Sequence, residues 1–232
     1  MAGSEGTMDV VVAPDFLSLM AHELAQPLTA ALGSVQTIKA RTASGDLDED
    51  SHAKLVDIAT RNLEQLQALL DSLRVFSEAE AGILEVDRTT VSVEDLFREA
   101  QENFGSPWSG TTISCRCDPG LEVKVELMLF RQVLANLVAN AYKFSPGGSS
   151  ISLEAHGTDE DTVLFTVSDQ GPGFPPDESE RIFERSVRLQ AGKRGLGLGL
   201  FVAMAIVVAH GGRIWAENID EGAKFSVVVP AA

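Results

Sequence analysis

Residues 9–81 carry two seams of apolar side chains at helical spacing, with little to interrupt them. In the first, Phe16, Met20, Leu24, Leu28, Ala31, Val35 and Ile38 recur at steps of four or three. At about 100° per residue they fall within an arc of about 80°. In the second, Ala59, Leu63, Leu66, Leu70 and Leu73 alternate steps of four and three, the heptad rhythm. The spacing predicts helices over about 14–40 and 51–76, joined by a small acidic loop at 42–50. Two helices alone bury too little apolar surface to form a domain. Pairing with a second copy completes them most simply, which predicts a dimeric four-helix bundle.

The pattern changes near Gly82. Ser92-Val93-Glu94-Asp95 is a capping-box pattern opening a helix to about Asn103. Short strands are predicted at 111–117 and 123–126, and a helix at 127–144. Residues 149–156 and 162–168 alternate like strands, 196–209 read as an apolar helix ended by Gly211-Gly212, and two more strands follow at 213–217 and 224–229. The interleaving predicts an α+β chain: a helical hairpin, residues 9–81, and then an antiparallel or mixed α/β sandwich, residues 82–232.

Composition excludes several functions. Of the 232 residues, 34 are Asp or Glu and 18 are Lys or Arg, a formal net charge of −16. That balance opposes a general nucleic-acid binder and docking on anionic lipid. Hydrophobic residues are 44% of the chain, enough for a real core. The two cysteines, Cys115 and Cys117, cannot make a disulfide framework and read as thiols in a reducing compartment. The longest apolar run, Phe201 to Ala209, is far short of the about 20 residues that span a bilayer. Residues 1–8 lack a signal-peptide core and resemble an appended tag, so they are set aside.

Four places carry chemistry. Pro27 stands inside a predicted helix, where proline costs about 3 kcal/mol. A broken local rule often marks function. Five residues earlier is His22, on the polar side of the helix with Gln26 and Thr29. Beside the Glu23 carboxylate its imidazole suits a nucleophile with a neighbouring base; a solvated histidine is the plainer reading of that pair alone. On the helix at 127–144, Asn136, Asn140 and Lys143 form one stripe opposite the apolar side. An amide oxygen suits Mg²⁺ and an ammonium suits phosphate; the alternative is a solvated face. The strand at 162–168 runs into Asp169-Gln170-Gly171-Pro172-Gly173, where a carboxylate could accept the amine of adenine and glycines admit a ligand to the backbone. Finally, Gly195-Leu196-Gly197-Leu198-Gly199-Leu200 leads into a helix, whose free N–H groups suit phosphate. Arg185, Arg188, Lys193 and Arg194 precede it, a local charge reversal that suggests an anionic ligand.

In their order and spacing these segments resemble the catalytic core of the sensor histidine kinases of two-component systems. His22-Glu23-Leu24-Ala25-Gln26-Pro27-Leu28 resembles that family's phosphoacceptor box. The stretch from Arg131 through Asn136 and Asn140 to Lys143-Phe144-Ser145 resembles its N box. Asp169 to Phe174 resembles the first glycine box, Ile182-Phe183-Glu184-Arg185 the phenylalanine box and Gly195 to Leu200 the second glycine box. The resemblance spans about 15–230.

It implies a dimerisation and phosphoacceptor hairpin followed by an ATP-binding sandwich of the kind shared with gyrase, Hsp90 and MutL. Asn140 would coordinate Mg²⁺, supported by Asn136; Lys143 would contact phosphate and Phe144 would pack on adenine. Asp169 would bind the adenine amino group, with Gly171, Gly173, Gly195, Leu196, Gly197, Leu198 and Gly199 shaping the pocket and its lid. Arg188 would hold the phosphate tail. Glu23 would orient or deprotonate His22, which attacks the γ-phosphorus. The expected partners are a second copy, ATP and the receiver domain of a response regulator; the expected setting is cytoplasmic, as an excised core or a small soluble kinase. The departures are Ala25, Gln26 and Ser186-Val187, and Gln26 predicts weak phosphatase activity because its amide sits one methylene further out than that of asparagine. The rivals are an ATP-driven conformational machine sharing the ATP fold, and a dimeric scaffold with a decayed site.

Overall fold

The computed structural model describes residues 14–104, 111–158, 161–184 and 197–232. They divide into two compact units that change over between Glu80 and Ala81.

The first unit is a helical hairpin of α1 (Pro14–Ser44) and α2 (Glu49–Glu80). Both helices run past the seams, to Ser44 rather than Ala40 and to Glu80 rather than Phe76. The α1 end is set by Gly45 at φ 75°. Its N–H donates to the Thr42 carbonyl at 3.3 Å and that of Asp46 to the Arg41 carbonyl at 3.0 Å, the paired bonds of a left-handed helix cap. Asp48 then caps α2, accepting from the backbone N–H of Ser51 at 2.7 Å and from its hydroxyl at 2.8 Å. Pro27 sits inside α1 without ending it.

The expected seam is divided between two stripes. Glu23, Pro27, Ala31 and Ser34 form the buried side of α1, whereas Leu17, Leu28, Leu32 and Val35 are exposed. On α2, Ala59 is buried while Val56, Leu63 and Leu70 are exposed. Apart from Glu23 the buried stripe carries small residues, and Leu17, Leu28, Leu32 and Val35 are left outside.

The second unit has two layers. A five-stranded sheet has the order β2 (Thr112–Cys117), β4 (Ser150–Gly157), β5 (Thr162–Ser168), β7 (Gly222–Pro230), β6 (Arg213–Ile219). β2 and β4 are parallel and the other neighbours antiparallel, so the sheet is mixed. A separate antiparallel ribbon pairs β1 (Thr89–Ser92) with β3 (Glu122–Val125). The helices α3 (Val93–Phe104), α4 (Leu127–Phe144) and α5 (Gly199–Ala209) pack on the sheet. Period-two burial selects the covered face: Ile151, Leu153 and Ala155 of β4, Val163, Phe165 and Val167 of β5, and Phe225, Val227 and Val229 of β7. Phe165 anchors this core, edge-on to Phe130 of α4 at 4.9 Å and to Phe97 of α3 at 6.1 Å. Each such ring is worth roughly 1.5–3 kcal/mol once buried.

Candidate active site

The polar stripe of α4 is held by the burial of its opposite side, where Val133, Leu134, Leu137, Val138 and Ala141 face the core. The helix start is fixed by Glu126, whose carboxylate accepts from the backbone N–H groups of Met128 and Leu129. The N–H of Glu126 itself donates to Nε2 of the fully buried His210 at 2.9 Å. The other ring nitrogen of His210 meets the Ile206 carbonyl at 2.8 Å. His210 therefore ties the end of α5 to the beginning of α4. Gly211 (φ 74°) turns the chain out of α5, and a side chain on Gly212 would lie 2.2 Å from the Val228 carbonyl oxygen. These contacts explain His210-Gly211-Gly212 as an anchor of the site's frame.

On the stripe, Asn136 and Asn140 are half-buried and Lys143 is exposed. Nδ2 of Asn136 is buried with no protein partner among the described residues. The ammonium of Lys143 lies 5.2 Å from the centre of the Phe144 ring, within cation–π range.

Asp169 follows β5 and is 4% exposed. Its Oδ1 accepts the backbone N–H of Gly171 at 2.7 Å and that of Ala223 at 3.3 Å. Oδ2 has no protein partner among the described residues. Burial pushes the carboxyl above the usual range, and the two N–H bonds pull against that rise.

The glycines bring these elements together. A Cβ on Gly171 would stand 2.9 Å from Asp169 Oδ1 and 3.1 Å from the Phe144 carbonyl, so this loop lies against the end of α4. A Cβ on Gly199 would come within 3.4 Å of Asn136 Oδ1, which brings the start of α5 against the middle of the stripe. Asn136, Phe144, Asp169, Gly171 and Gly199 thus belong to one region of the second unit. Gly173, at φ 67°, leads into a clamp by Asn218 of β6. The Asn218 oxygen accepts the Phe174 N–H at 3.0 Å and its amide donates to the Phe174 carbonyl at 2.6 Å. Gly222, at φ 113°, lets β7 pass under Asp169, for a Cβ there would fall 1.9 Å from the Asp169 carbonyl oxygen. Asn218 and Gly222 were not singled out in the sequence; the turn signal Asp220-Glu221-Gly222 is the trace they leave. Gly197 (φ 69°) and the buried Leu198 are described, whereas Arg188, Gly195, Leu196 and the other basic residues of that run lie outside the described residues.

His22 belongs to the first unit and is exposed. Gln26, one turn on, brings its amide Nε2 to 2.9 Å from Nε2 of the imidazole. Glu23 is 8% exposed and lies on the buried side of α1 with Pro27, Ala31 and Ser34.

Two family models match in the order of the units. Residues 15–82 match the His Kinase A phospho-acceptor domain, and residues 125–232 match the ATPase shared by histidine kinases, DNA gyrase B and HSP90. The chain belongs to the sensor histidine kinases. The histidine-kinase ATPase domain implies ATP binding by the second unit. Among related kinases, the adaptive-response sensory kinase SasA of Synechococcus sp. strain CC9311 is 36% identical over 225 residues, covering 92% of this chain and 56% of that protein. SasA of Synechococcus sp. strain JA-2-3B'a(2-13) is 31% identical over 220 residues, covering 92% of this chain and 58% of the relative. The chain thus spans little more than half the length of these kinases. Full-length ShkA, solved in complex with AMPPNP, is 28% identical, with a TM-score of 0.66 over 95% of this chain and 46% of that one.

Proposed function

We propose that this chain is an ATP-dependent autokinase that phosphorylates His22 and passes the phosphoryl group to an aspartate on a response regulator's receiver domain. The observation that carries the reading is the division of labour at Asp169. Oδ1 holds the glycine loop and Oδ2 is left to accept an amine, beside glycines at which a side chain would clash. Such a carboxylate selects adenine by its exocyclic amino group. Gly171 and Gly173 shape this end, and Gly197, Leu198 and Gly199, with Gly195 and Leu196 before them, shape the phosphate end.

The residues of the α4 stripe fit a triphosphate. The buried Nδ2 of Asn136 needs an acceptor, which a phosphate oxygen supplies. Asn140 presents a hard amide oxygen one turn further on, and Lys143 a cation. Mg²⁺ bound at Asn140 would neutralise charge on the phosphates, completing its oxygen shell with phosphate and water. Phe144 offers a half-buried ring for the base, and Arg188 a charge for the phosphate tail. His22 supplies an exposed ring, and Glu23, on the buried side of α1, would orient it or take its proton only after turning towards it. The exposed leucine stripes of the hairpin support a homodimer. Dependence on ATP and a regulator argues for a cytoplasmic reaction. Among the described residues no helix is long and apolar enough to cross a membrane.

The test is incubation with γ-labelled ATP. The product should be acid-labile and base-stable, as phosphohistidine is. His22→Ala should abolish incorporation while leaving nucleotide affinity near normal, because His22 and the glycine boxes belong to different units. Label retained in that variant would overturn the assignment of the acceptor.

A further inference from the structure

We propose that Gln26 is a positioning residue that sets the tautomer of His22, holding the ring proton on Nδ1 and the lone pair on Nε2. An amide nitrogen can only donate, and that of Gln26 lies 2.9 Å from His22 Nε2. Nε2 must therefore accept, and a neutral imidazole then carries its single hydrogen on Nδ1. Free histidine in water prefers the opposite tautomer, with the hydrogen on Nε2. Both side chains lie on the exposed face of α1, while Glu23 faces the buried side. Gln26 is thus the group that holds Nε2 among the described residues.

The residue type at position 26 decides the outcome. A hydroxyl both donates and accepts, so threonine would leave the tautomer open. A carboxylate only accepts and would draw the hydrogen onto Nε2, removing its lone pair. Glutamine reaches the ring and here turns its amide nitrogen, a donor, to it. The role rests on the reading of His22 as the phosphoryl acceptor. In that reaction the Nε2 lone pair forms the N–P bond as the bridging P–O bond breaks, its electron pair leaving on ADP, and the Nδ1 hydrogen passes to water at the exposed face of α1. The Gln26 amide must swing off Nε2 as the bond forms, and its N–H is then free to donate to an oxygen of the transferred phosphoryl group.

The experiment uses the full chain labelled with ¹⁵N-histidine, observed by long-range proton–nitrogen correlation at alkaline pH, with His22→Ala assigning the signals. The native ring should show its hydrogen on Nδ1. Gln26→Ala should return it mostly to Nε2, and Gln26→Glu should do so fully. Labelling by γ-labelled ATP should slow about fivefold in Gln26→Ala, the equivalent of one hydrogen bond, with ATP affinity unchanged. A native ring protonated on Nε2, a tautomer that ignores the substitution, or a tautomer that changes with no effect on the labelling rate would each overturn the proposal. Persistent label in His22→Ala alongside the expected tautomer change would instead sink the assignment of His22 as acceptor and leave the Gln26 bond standing.

Discussion

At Asp169 both backbone bonds end on Oδ1, so the two oxygens can be tested apart. An asparagine side chain in its place keeps an oxygen for Gly171 and Ala223 but turns an NH₂ group towards the ligand. Asp169→Asn should weaken ATP binding about 10- to 100-fold, the worth of a hydrogen bond to a charged group, measured by calorimetry. The same change should raise the melting temperature of the nucleotide-free chain at neutral pH. Burial holds this carboxyl above its ordinary value of 3.8. A folded-state value that is raised means that the folded chain binds the proton more tightly than the unfolded one. Its contribution to stability is then full below 3.8 and is lost as the pH rises through the folded value. At pH 7 the ionised form is a burden that the amide removes. A variant with weaker binding and no gain in heat resistance would show that the loop bonds need the charge.

One histidine ties the end of α5 to the start of α4, and this makes their junction sensitive to pH. His210 accepts from Glu126 on Nε2 and donates from Nδ1 to Ile206, so its ring is neutral and both nitrogens are used. Burial is the main cause that pushes it below its ordinary 6.5. For a histidine lowered on folding, the stabilisation is complete above 6.5 and falls away as the pH drops towards the folded value. Thermal melts from pH 8 to pH 5 should lose stability below about 6.5, and His210→Phe should flatten that dependence. An unchanged slope would assign the acid sensitivity to other groups. α4 itself was legible to the residue, Leu127 to Phe144, because its apolar face, polar stripe and flanking Glu126 and Pro146 agree. β5 was too, from strict alternation between a turn and Asp169. β1 was missed because Thr89–Ser92 is short, polar and half-exposed, and exists as a strand through its pairing with β3. The Asn218 clamp and the room made by Gly222 were hidden for a related reason. They join β6 and β7 to a loop some fifty residues earlier, a proximity that no local pattern encodes.

The whole molecule has apolar surface that one chain cannot cover. The division of α1 into a buried stripe of Glu23, Pro27, Ala31 and Ser34 and an exposed stripe containing Leu28, Leu32 and Val35 marks where a second hairpin would sit, and Val56, Leu63 and Leu70 add the facing half on α2. Leu63 is 51% exposed and Leu70 47%, so each still has about half its burial to gain. That remainder is worth roughly 1 kcal/mol per side chain. About a dozen such side chains from two chains are of the same order as the 4–15 kcal/mol that association costs. The balance is close enough that a few charges would reverse it. Leu63→Glu with Leu70→Glu should therefore turn a dimeric chain monomeric, since each dimer would have to bury four added carboxylates. The second unit has its own core around Phe165, so residues 82–232 alone should be monomeric and still bind ATP. Light scattering decides both. A monomeric native chain would leave the leucine stripes without a partner. A dimeric 82–232 fragment would move the interface to the ATPase unit, and the double glutamate variant would then dimerise as the native chain does.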